Sequence, residues 1–406
     1  MQDTGVLLPD ESTFTLPAAW ARRLHPRRGG VRRPVVPFGE DARQEVALLL
    51  SEQAPRIAAA LADPRSEPRL VRAAQEQQSG TADPLGAAVT TVLALASHRS
   101  VDPAPLVDAW AAEHGLAFAA RAVVALFGIG TGADSGPFRR DQAVVRSLPD
   151  GEPSWVTDRL LLVADRLRAL LAAADEESYR QAVTALGGCR DGVWQRVVVS
   201  YLVPGERAWV DDCLGWKGGS MDSWTVRSLL LCSIDSAEQL SRLPDRSKSR
   251  WHRWSLPLLA TLAEGIGPAL APLVGEALDL EPGSGETVKL YAGVLSHLPT
   301  DEAFGMLLKH ADNRHVREAL AAASARYPVR ALRLLAAEAQ RPVQRAGLMR
   351  ELLTEHVAVQ RELVTAALPG LDAEISTEVA AASSRRASSE TTRKHGGTPS
   401  SKMLSS

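Results

Sequence analysis

The sequence predicts an all-α fold of stacked helical hairpins with a disordered C-terminal tail, and three observations carry that expectation. Apolar residues recur at helical spacing from about residue 40 to residue 380, and Pro and Gly fall where helices start and stop. The composition is rich in Ala, Leu, Arg and Glu while Lys is scarce. Ala and straight-chain residues lose least on entering a helix, so this mix favours helix before any pattern is read.

In order along the chain, Glu40 to Asp63 places Val46, Leu49, Leu50, Ile57, Ala60 and Leu61 on one face of a predicted helix. Asp83-Pro84 opens a segment through Val89, Val92 and Leu95. Asp102-Pro103 opens another through Leu106, Val107 and Trp110 that Gly115 ends, with Pro inside the start and Gly past the end. A helix is expected over Ala119 to Leu126 and a long amphipathic one over Ser154 to Ala174. Shorter ones are expected at 175–187, 191–203, 205–214, 221–233, 252–264 and 267–279. The β-branched run Val197-Val198-Val199 continues a helical pattern from Trp194 and reads as helix.

The back half carries the repeat logic. Thr300 to His310, Asn313 to Tyr327, a helix from Pro328, a helix from Pro342 and one over His356 to Leu368 are short helices joined by short turns. That is the grammar of HEAT-like repeats, whose period is about 40 residues, and a lone hairpin cannot bury its own stripe, so neighbours must stack into an α-solenoid. Composition divides the chain into a basic Pro/Gly-rich segment at 1–38, a helical subdomain at 39–150, a HEAT-like array at 151–381 and a tail at 382–406. The tail is rich in Ser, Thr, Lys and Arg without a hydrophobic face, so it is expected to stay disordered.

The chain has 406 residues, 45% hydrophobic and 23% charged, with a formal net charge of -2. Those are globular proportions, and a near-neutral balance argues against bulk attraction to nucleic acid or an anionic membrane. Three cysteines without CxxC spacing, Cys189, Cys213 and Cys232, suit buried thiols in a reducing cytoplasm. No secretory signal is visible, and no run approaches the roughly 18 uninterrupted apolar residues of a membrane span. A cytoplasmic protein without membrane contact is expected.

Motifs that would carry chemistry are weak. Gly128-Ile129-Gly130-Thr131-Gly132 superficially resembles a phosphate loop, but lacks the Lys-Ser/Thr pair and the preceding strand, and reads as an inter-helix loop. Any anion contacts there would come from Arg139 and Arg140. His310 and His315 straddle a turn and do not share a helix face as metal ligands at i, i+4 would. Asp211 and Asp212 are adjacent on a helix and point to different sides, which suits a solvated end better than shared acid-base work. No catalytic residue, metal ligand or cofactor is assigned.

Two contact surfaces stand out. Six of the nine tryptophans lie between 190 and 256. Trp194, Trp209 and Trp224 fall on patterned helices and read as core. Trp216 and Lys217 sit in a predicted loop, and Arg250, Trp251, Arg253 and Trp254 interleave cations with aromatics; these six are the candidate partner-binding residues. Arg22, Arg23, Arg27, Arg28, Arg32 and Arg33 form a candidate basic patch, suited to phosphate contact, to an acidic protein groove or to a salt-bridged interdomain contact.

Several stretches resemble the N-terminal helical region of bacterial proteins in the family called domain of unknown function 4132, sometimes labelled molybdate-metabolism-regulator-like. They are Thr13-Phe14-Thr15-Leu16-Pro17-Ala18-Ala19-Trp20 followed by Pro26-Arg27-Arg28-Gly29-Gly30-Val31, then Val107-Asp108-Ala109-Trp110, Val203-Pro204-Gly205-Glu206-Arg207 and Tyr327-Pro328-Val329-Arg330-Ala331-Leu332. The similarity covers about residues 12–380. In that family the helical region precedes a larger C-terminal module, and some members add a Trp-Gly-Arg domain. Neither is visible here, which suggests a truncated or frame-shifted member retaining the solenoid. The resemblance implies a regulatory setting and supplies no catalytic residue. The function expected is a non-catalytic scaffold binding a protein partner. The alternatives are a nucleic-acid-binding solenoid using the Arg clusters, and an enzyme fragment lacking its C-terminal module.

Overall fold

The computed structural model describes residues 7–35, 40–96, 102–132, 144–148, 157–215, 224–243, 254–280, 285–341 and 345–395. Helices dominate them, as predicted. The chain divides into two units, Ala18–Ile266 and Gly267–Ser406 with Met1–Pro17. These boundaries follow packing, whereas 38, 150 and 381 followed composition.

The first unit contains α1 (Ala18–Ala21), α2 (Glu40–Ala62), α3 (Pro68–Gln78), α4 (Pro84–Leu95), α5 (Ala104–His114) and α6 (Leu116–Leu126), then β1 (Ile129–Thr131) and β2 (Val145–Ser147). It continues with α7 (Thr157–Ala173), α8 (Glu176–Gly187), α9 (Val193–Leu202), α10 (Arg207–Leu214), α11 (Trp224–Leu231), α12 (Ala237–Ser241) and α13 (Leu256–Ile266). Its centre is α4, flanked by α2, α3 and α6. The helix is apolar nearly all round and buried through Gly86–Val89 and Thr91–Leu95, as a helix without a solvent face must be. Asp83 starts it, its carboxylate accepting from the Leu85 N–H at 3.0 Å, with Pro84 at the first helical position. Gly115, at φ 85°, ends α5 and turns the chain directly into α6, a conformation an L side chain would strain. Asp175 caps α8 by accepting from the Ser178 N–H at 2.9 Å, and Glu176 and Glu177 add negative charge where the helix dipole is positive.

The β-branched run at 197–199 is helical within α9, where Trp194 stacks on Phe127 at 6.0 Å. Burial against α7 and α10 outweighs its strand propensity. The glycine-rich stretch departs from expectation. Ile129–Thr131 pairs antiparallel with Val145–Ser147, Gly130 opposite Arg146, instead of forming a plain loop. The ladder sits on the start of α3: Val145 N–H donates to Ser66 Oγ at 3.1 Å, and Glu67 N–H to the Val145 carbonyl at 2.9 Å.

The second unit opens with a 3-10 turn, Gly267–Leu270, and stacks α14 (Ala271–Leu280), α15 (Gly285–Leu295), α16 (Asp301–Lys309), α17 (Arg314–Arg326) and α18 (Pro328–Gln340). Then come α19 (Ala346–Val359), α20 (Arg361–Ala367) and α21 (Ala373–His395). Each helix packs on its neighbours one and two places along the chain, which is hairpin stacking. Polar ties between elements recur at nearly constant separation. Lys309 Nζ donates to Asp279 at 2.7 Å, Tyr327 Oη to the His297 carbonyl at 2.6 Å, and His356 Nε2 to the Pro328 carbonyl at 2.8 Å, spanning 30, 30 and 28 residues. The repeat is thus shorter than the expected period of about 40, because its helices are short. The expected helix over His356 to Leu368 is two: α19 runs on to Val359, and α20 begins after Gln360. α21 continues to His395, past the boundary at 381, because Val379 and Ala382 are buried and anchor it. Residues 396–406 lie outside the described residues.

Glu11 supplies the cap that α18 lacks at Tyr327. Its carboxylate accepts from the Val329 N–H at 2.6 Å and the Arg330 N–H at 2.8 Å, so a side chain over 300 residues earlier meets the helix start. The stretch Leu256–Leu280 is long and apolar enough to cross a membrane by length and composition, which residue-by-residue reading did not anticipate, and 67% of its apolar window is buried inside the protein.

At Gly86 an added Cβ would lie 2.1 Å from the Ala73 carbonyl oxygen and 2.7 Å from Gln77 Cβ, so α3 and α4 touch there through backbone. Gly86→Ala is expected to lower stability by about 1–3 kcal/mol. Gly347→Ala, on α19 with open space around it, is expected to raise it by about 0.5–1 kcal/mol. Paired urea melts check both; a neutral Gly86→Ala would contradict the close approach.

Candidate functional site

Helix α7 sets the site. Its apolar stripe is interrupted by two charged residues three apart, Asp165 and Arg168, which share a face. Arg168 is 1% exposed. Its Nε donates to the Pro26 carbonyl at 2.7 Å, Nη1 to the Tyr201 carbonyl at 2.8 Å, and Nη2 to the carbonyls of His25 at 3.1 Å and Cys232 at 3.0 Å. The guanidinium also lies 4.7 Å from the Tyr201 ring centroid. One buried cation thus holds the N-terminal segment, the end of α9 and the end of α11.

Asp165 faces the same segment. Its Oδ1 lies 2.7 Å from His25 Nδ1 and its Oδ2 2.8 Å from Arg33 Nη2, while Tyr201 Oη stands 2.8 Å from His25 Nδ1. Burial disfavours a charged imidazole, but Cys232 and the Asp165 carboxylate beside the ring outweigh it and lift the His25 pKa to about 9. Burial would raise the Asp165 carboxyl, but the His25 and Arg33 contacts prevail and hold it at about 2. Burial and the Asp165 charge push the Tyr201 phenol well up, so it stays a donor.

The sequence-predicted residues divide sharply. Arg27 is drawn inward: its Nη1 donates to the Ser233 carbonyl at 3.1 Å, Nη2 to the Cys232 carbonyl at 3.1 Å, and its Nε pairs with Glu264 at 3.2 Å. Arg28 Nη2 donates to Glu176 at 2.9 Å, and its guanidinium lies 4.4 Å from the Tyr179 ring centroid. Arg33 is held by Asp165. The six arginines are therefore not one open patch, because buried carbonyls and carboxylates claim three of them. Arg22, Arg23 and Arg32 are exposed. Beside Arg28, an open groove of about 610 Å³ runs along α8, lined by Glu176, Glu177, Tyr179, Arg180 and Glu206 among others.

Of the candidate partner-binding residues, Trp254 lies just before α13 and is 9% exposed, which withdraws its ring from a surface patch. Trp216, Lys217, Arg250, Trp251 and Arg253 lie outside the described residues, as do Arg139 and Arg140. Trp194 is buried; Trp209 and Trp224 are half-buried, Trp209 beneath the Arg190 guanidinium at 4.9 Å. Cys213 and Cys232 are buried free thiols. Asp211 and Asp212 do face different ways, Asp211 accepting from Gln239 and Arg242, Asp212 from Arg190. His310 pairs with Asp279, while His315 Nε2 accepts from Arg314, so the two serve different neighbours. Among the described residues no group of three or more His, Cys, Asp and Glu is arranged to hold a metal ion.

Asp165, Arg168, Tyr201 and Glu264 escaped the sequence reading. For the first two the signal was a pair of charges inside the apolar stripe of α7, legible as an anomaly but silent about the partners, which lie at His25, Pro26 and Arg33 far upstream and at Tyr201 and Cys232 downstream.

Arg168→Met keeps the volume but strands four carbonyls, and is expected to cost about 3 kcal/mol or more in a urea melt. The His25 contribution runs with pH as follows: its folded pKa exceeds the unfolded 6.5, so the stabilisation is complete below 6.5 and is lost as pH rises through about 9. Asp165, depressed to about 2, loses its contribution as pH falls from about 4 to 2. The stability gap between wild type and His25→Gln should therefore shrink between pH 6 and 9.5; a gap that widens would contradict the assignment.

No curated protein and no solved structure matches the chain. Residues 41–251 match the family model of the YehI second domain. That span runs from α2 through α12, carries Asp165, Arg168, Tyr201 and Cys232, and covers just over half of the 406 residues. What the match supports is a YehI-like domain, and the chain belongs to the YehI second-domain family.

Proposed function

We propose that the protein is a non-catalytic helical scaffold of α-solenoid type that binds a protein partner through its N-terminal basic segment. The observation that carries this reading is the division of that segment. Arg27, Arg28 and Arg33 are locked into the fold, while Arg22, Arg23 and Arg32 face solvent from the same anchored stretch. A binding segment already fixed in conformation gives up little freedom on association, so a modest set of exposed cations suffices for a partner with an acidic surface. The short-period hairpin stack of the second unit fits the same role, since such arrays expose long faces to partners.

The wider setting belongs to the same proposal. The motifs likened to the domain-of-unknown-function 4132 proteins occupy scaffold positions. Asp108 accepts a bidentate contact from Arg166, Arg207 pairs with Asp235 at 2.7 Å, and Tyr327 ties to His297. We read the chain as the helical part of such a regulatory protein. The unpaired thiols suit a reducing cytoplasm.

The test compares wild type with an Arg22→Glu, Arg23→Glu, Arg32→Glu variant, whose substitutions lie on exposed positions and should leave the melt unchanged. A partner recovered from the native host should bind the variant about tenfold more weakly or worse by calorimetry. Undiminished binding would remove the segment from the interface. Tight duplex or single-strand binding that falls steeply with salt would replace the protein partner with nucleic acid.

A further inference from the structure

We propose that the groove along α8 receives the basic segment of a second copy of this chain, an exposed arginine of each copy entering the groove of the other. The inference rests on the reading of that segment as the binding element, and it names the acidic surface that the segment meets.

The edge of the groove already shows how an arginine is held there. Arg28 donates from Nη1 to the Ala174 carbonyl at 2.6 Å and from Nη2 to Glu176 at 2.9 Å, and its guanidinium lies 4.4 Å from the Tyr179 ring centroid. A carbonyl, a carboxylate and an aromatic face are the groups a guanidinium uses best. Further acceptors remain beyond Arg28. Glu206, which opens α10 and lines the same groove, has no ion-pair partner among the described residues. The Tyr179 hydroxyl lies close by, 3.8 Å from where a Cβ on Gly205 would stand. Glu177 is engaged only by Arg180 and Gln181 of its own helix, and the Glu177–Arg180 pair is exposed enough to yield to a new cation at little cost. At about 610 Å³ the groove has room for an incoming side chain and the backbone that carries it.

The cations that fit it are on the same surface. Arg22, Arg23 and Arg32 are exposed and have no ion-pair partner among the described residues. They stand four to six residues from Arg28, and a chain advances at most about 3.6 Å per residue, so their α-carbons lie within roughly 22 Å of it. The contacts of Arg27, Arg28 and Arg33 pin the stretch, and within its own copy the three remain unmatched. A surface that carries unmatched cations beside an unmatched anion is complementary to itself across a two-fold axis, because the rotation lays each on the other. Both contacts then form in one association and share a single loss of freedom. An unrelated acidic partner would satisfy the arginines and leave Glu206 unmet.

Sedimentation of the full chain over a concentration series reads the association. Wild type should dimerise at low salt, about tenfold more tightly than at high salt. Arg22→Glu, Arg23→Glu, Arg32→Glu in one variant, and Glu177→Lys, Glu206→Lys in a second, should each weaken the dimer about tenfold or more, since each sets like charges face to face. An equimolar mixture of the two variants should dimerise to within about threefold of wild type, because reversing both sides restores the match. A mixture no tighter than its parts would overturn the proposal. Should the second variant not fold, Glu206→Gln serves in its place and should weaken the wild-type dimer about threefold; an unchanged dimer would overturn the proposal. So would wild type that stays monomeric at about 0.1 mM, a concentration that fills a dimer of micromolar Kd. A host protein that binds this monomeric wild type but not the arginine variant would overturn self-association alone and leave the basic segment as the binding element.

Discussion

A guanidinium can leave water only where its N–H groups are met, since an unpaired buried charge costs several kcal/mol. Arg168 meets this constraint with four backbone carbonyls, from His25, Pro26, Tyr201 and Cys232. Those carbonyls belong to three stretches far apart in sequence. None of the three can withdraw without stranding either a carbonyl or the cation, so the buried charge couples the N-terminal segment, α9 and α11 into one cooperative piece. Carbonyls also leave no anion to compete with Asp165, which remains available to His25 and Arg33.

The N-terminal segment shows what that coupling achieves. A Pro/Gly/Arg-rich stretch has little apolar surface with which to pack, and hydrophobic burial alone would not order it. It is ordered because its polar groups find partners prepared inside the fold. The His25 N–H donates to Thr261 Oγ1 at 2.8 Å, the Val31 N–H to Glu264 at 2.8 Å, and Arg27 reaches the carbonyls that end α11. Composition alone makes such a segment look like a free basic arm; the carbonyls and carboxylates that receive it are what turn it into part of the body.

How much of this was legible follows from the range of each interaction. Helices written in local pattern were readable: Asp83-Pro84 and Asp175 mark starts because a cap acts over two or three residues, and Gly115 marks a stop because its constraint is its own φ. Features set at long range were not. The β1–β2 ladder joins three-residue strands too short to show alternation. The cap of α18 comes from Glu11, and the partners of Asp165 come from residues 25 and 33. The six arginines illustrate the limit best. Their residue type and spacing are alike, and only the tertiary positions of Glu264, Glu176 and Asp165 separate the three that are buried in contacts from the three that face water.

His25 is where these constraints converge, and its backbone explains why its ring is well placed. The N–H is fixed by Thr261, itself donating to the Pro257 carbonyl at 2.7 Å, and the carbonyl is fixed by Arg168. With both ends of the residue held, the imidazole has little freedom beyond rotation about its side-chain bonds. Asp165 and Tyr201 restrict that rotation from one side. A ring held in this way keeps its proton against the cost of burial, because the Asp165 carboxylate already stands beside it and nothing has to reorganise for the charge to be met.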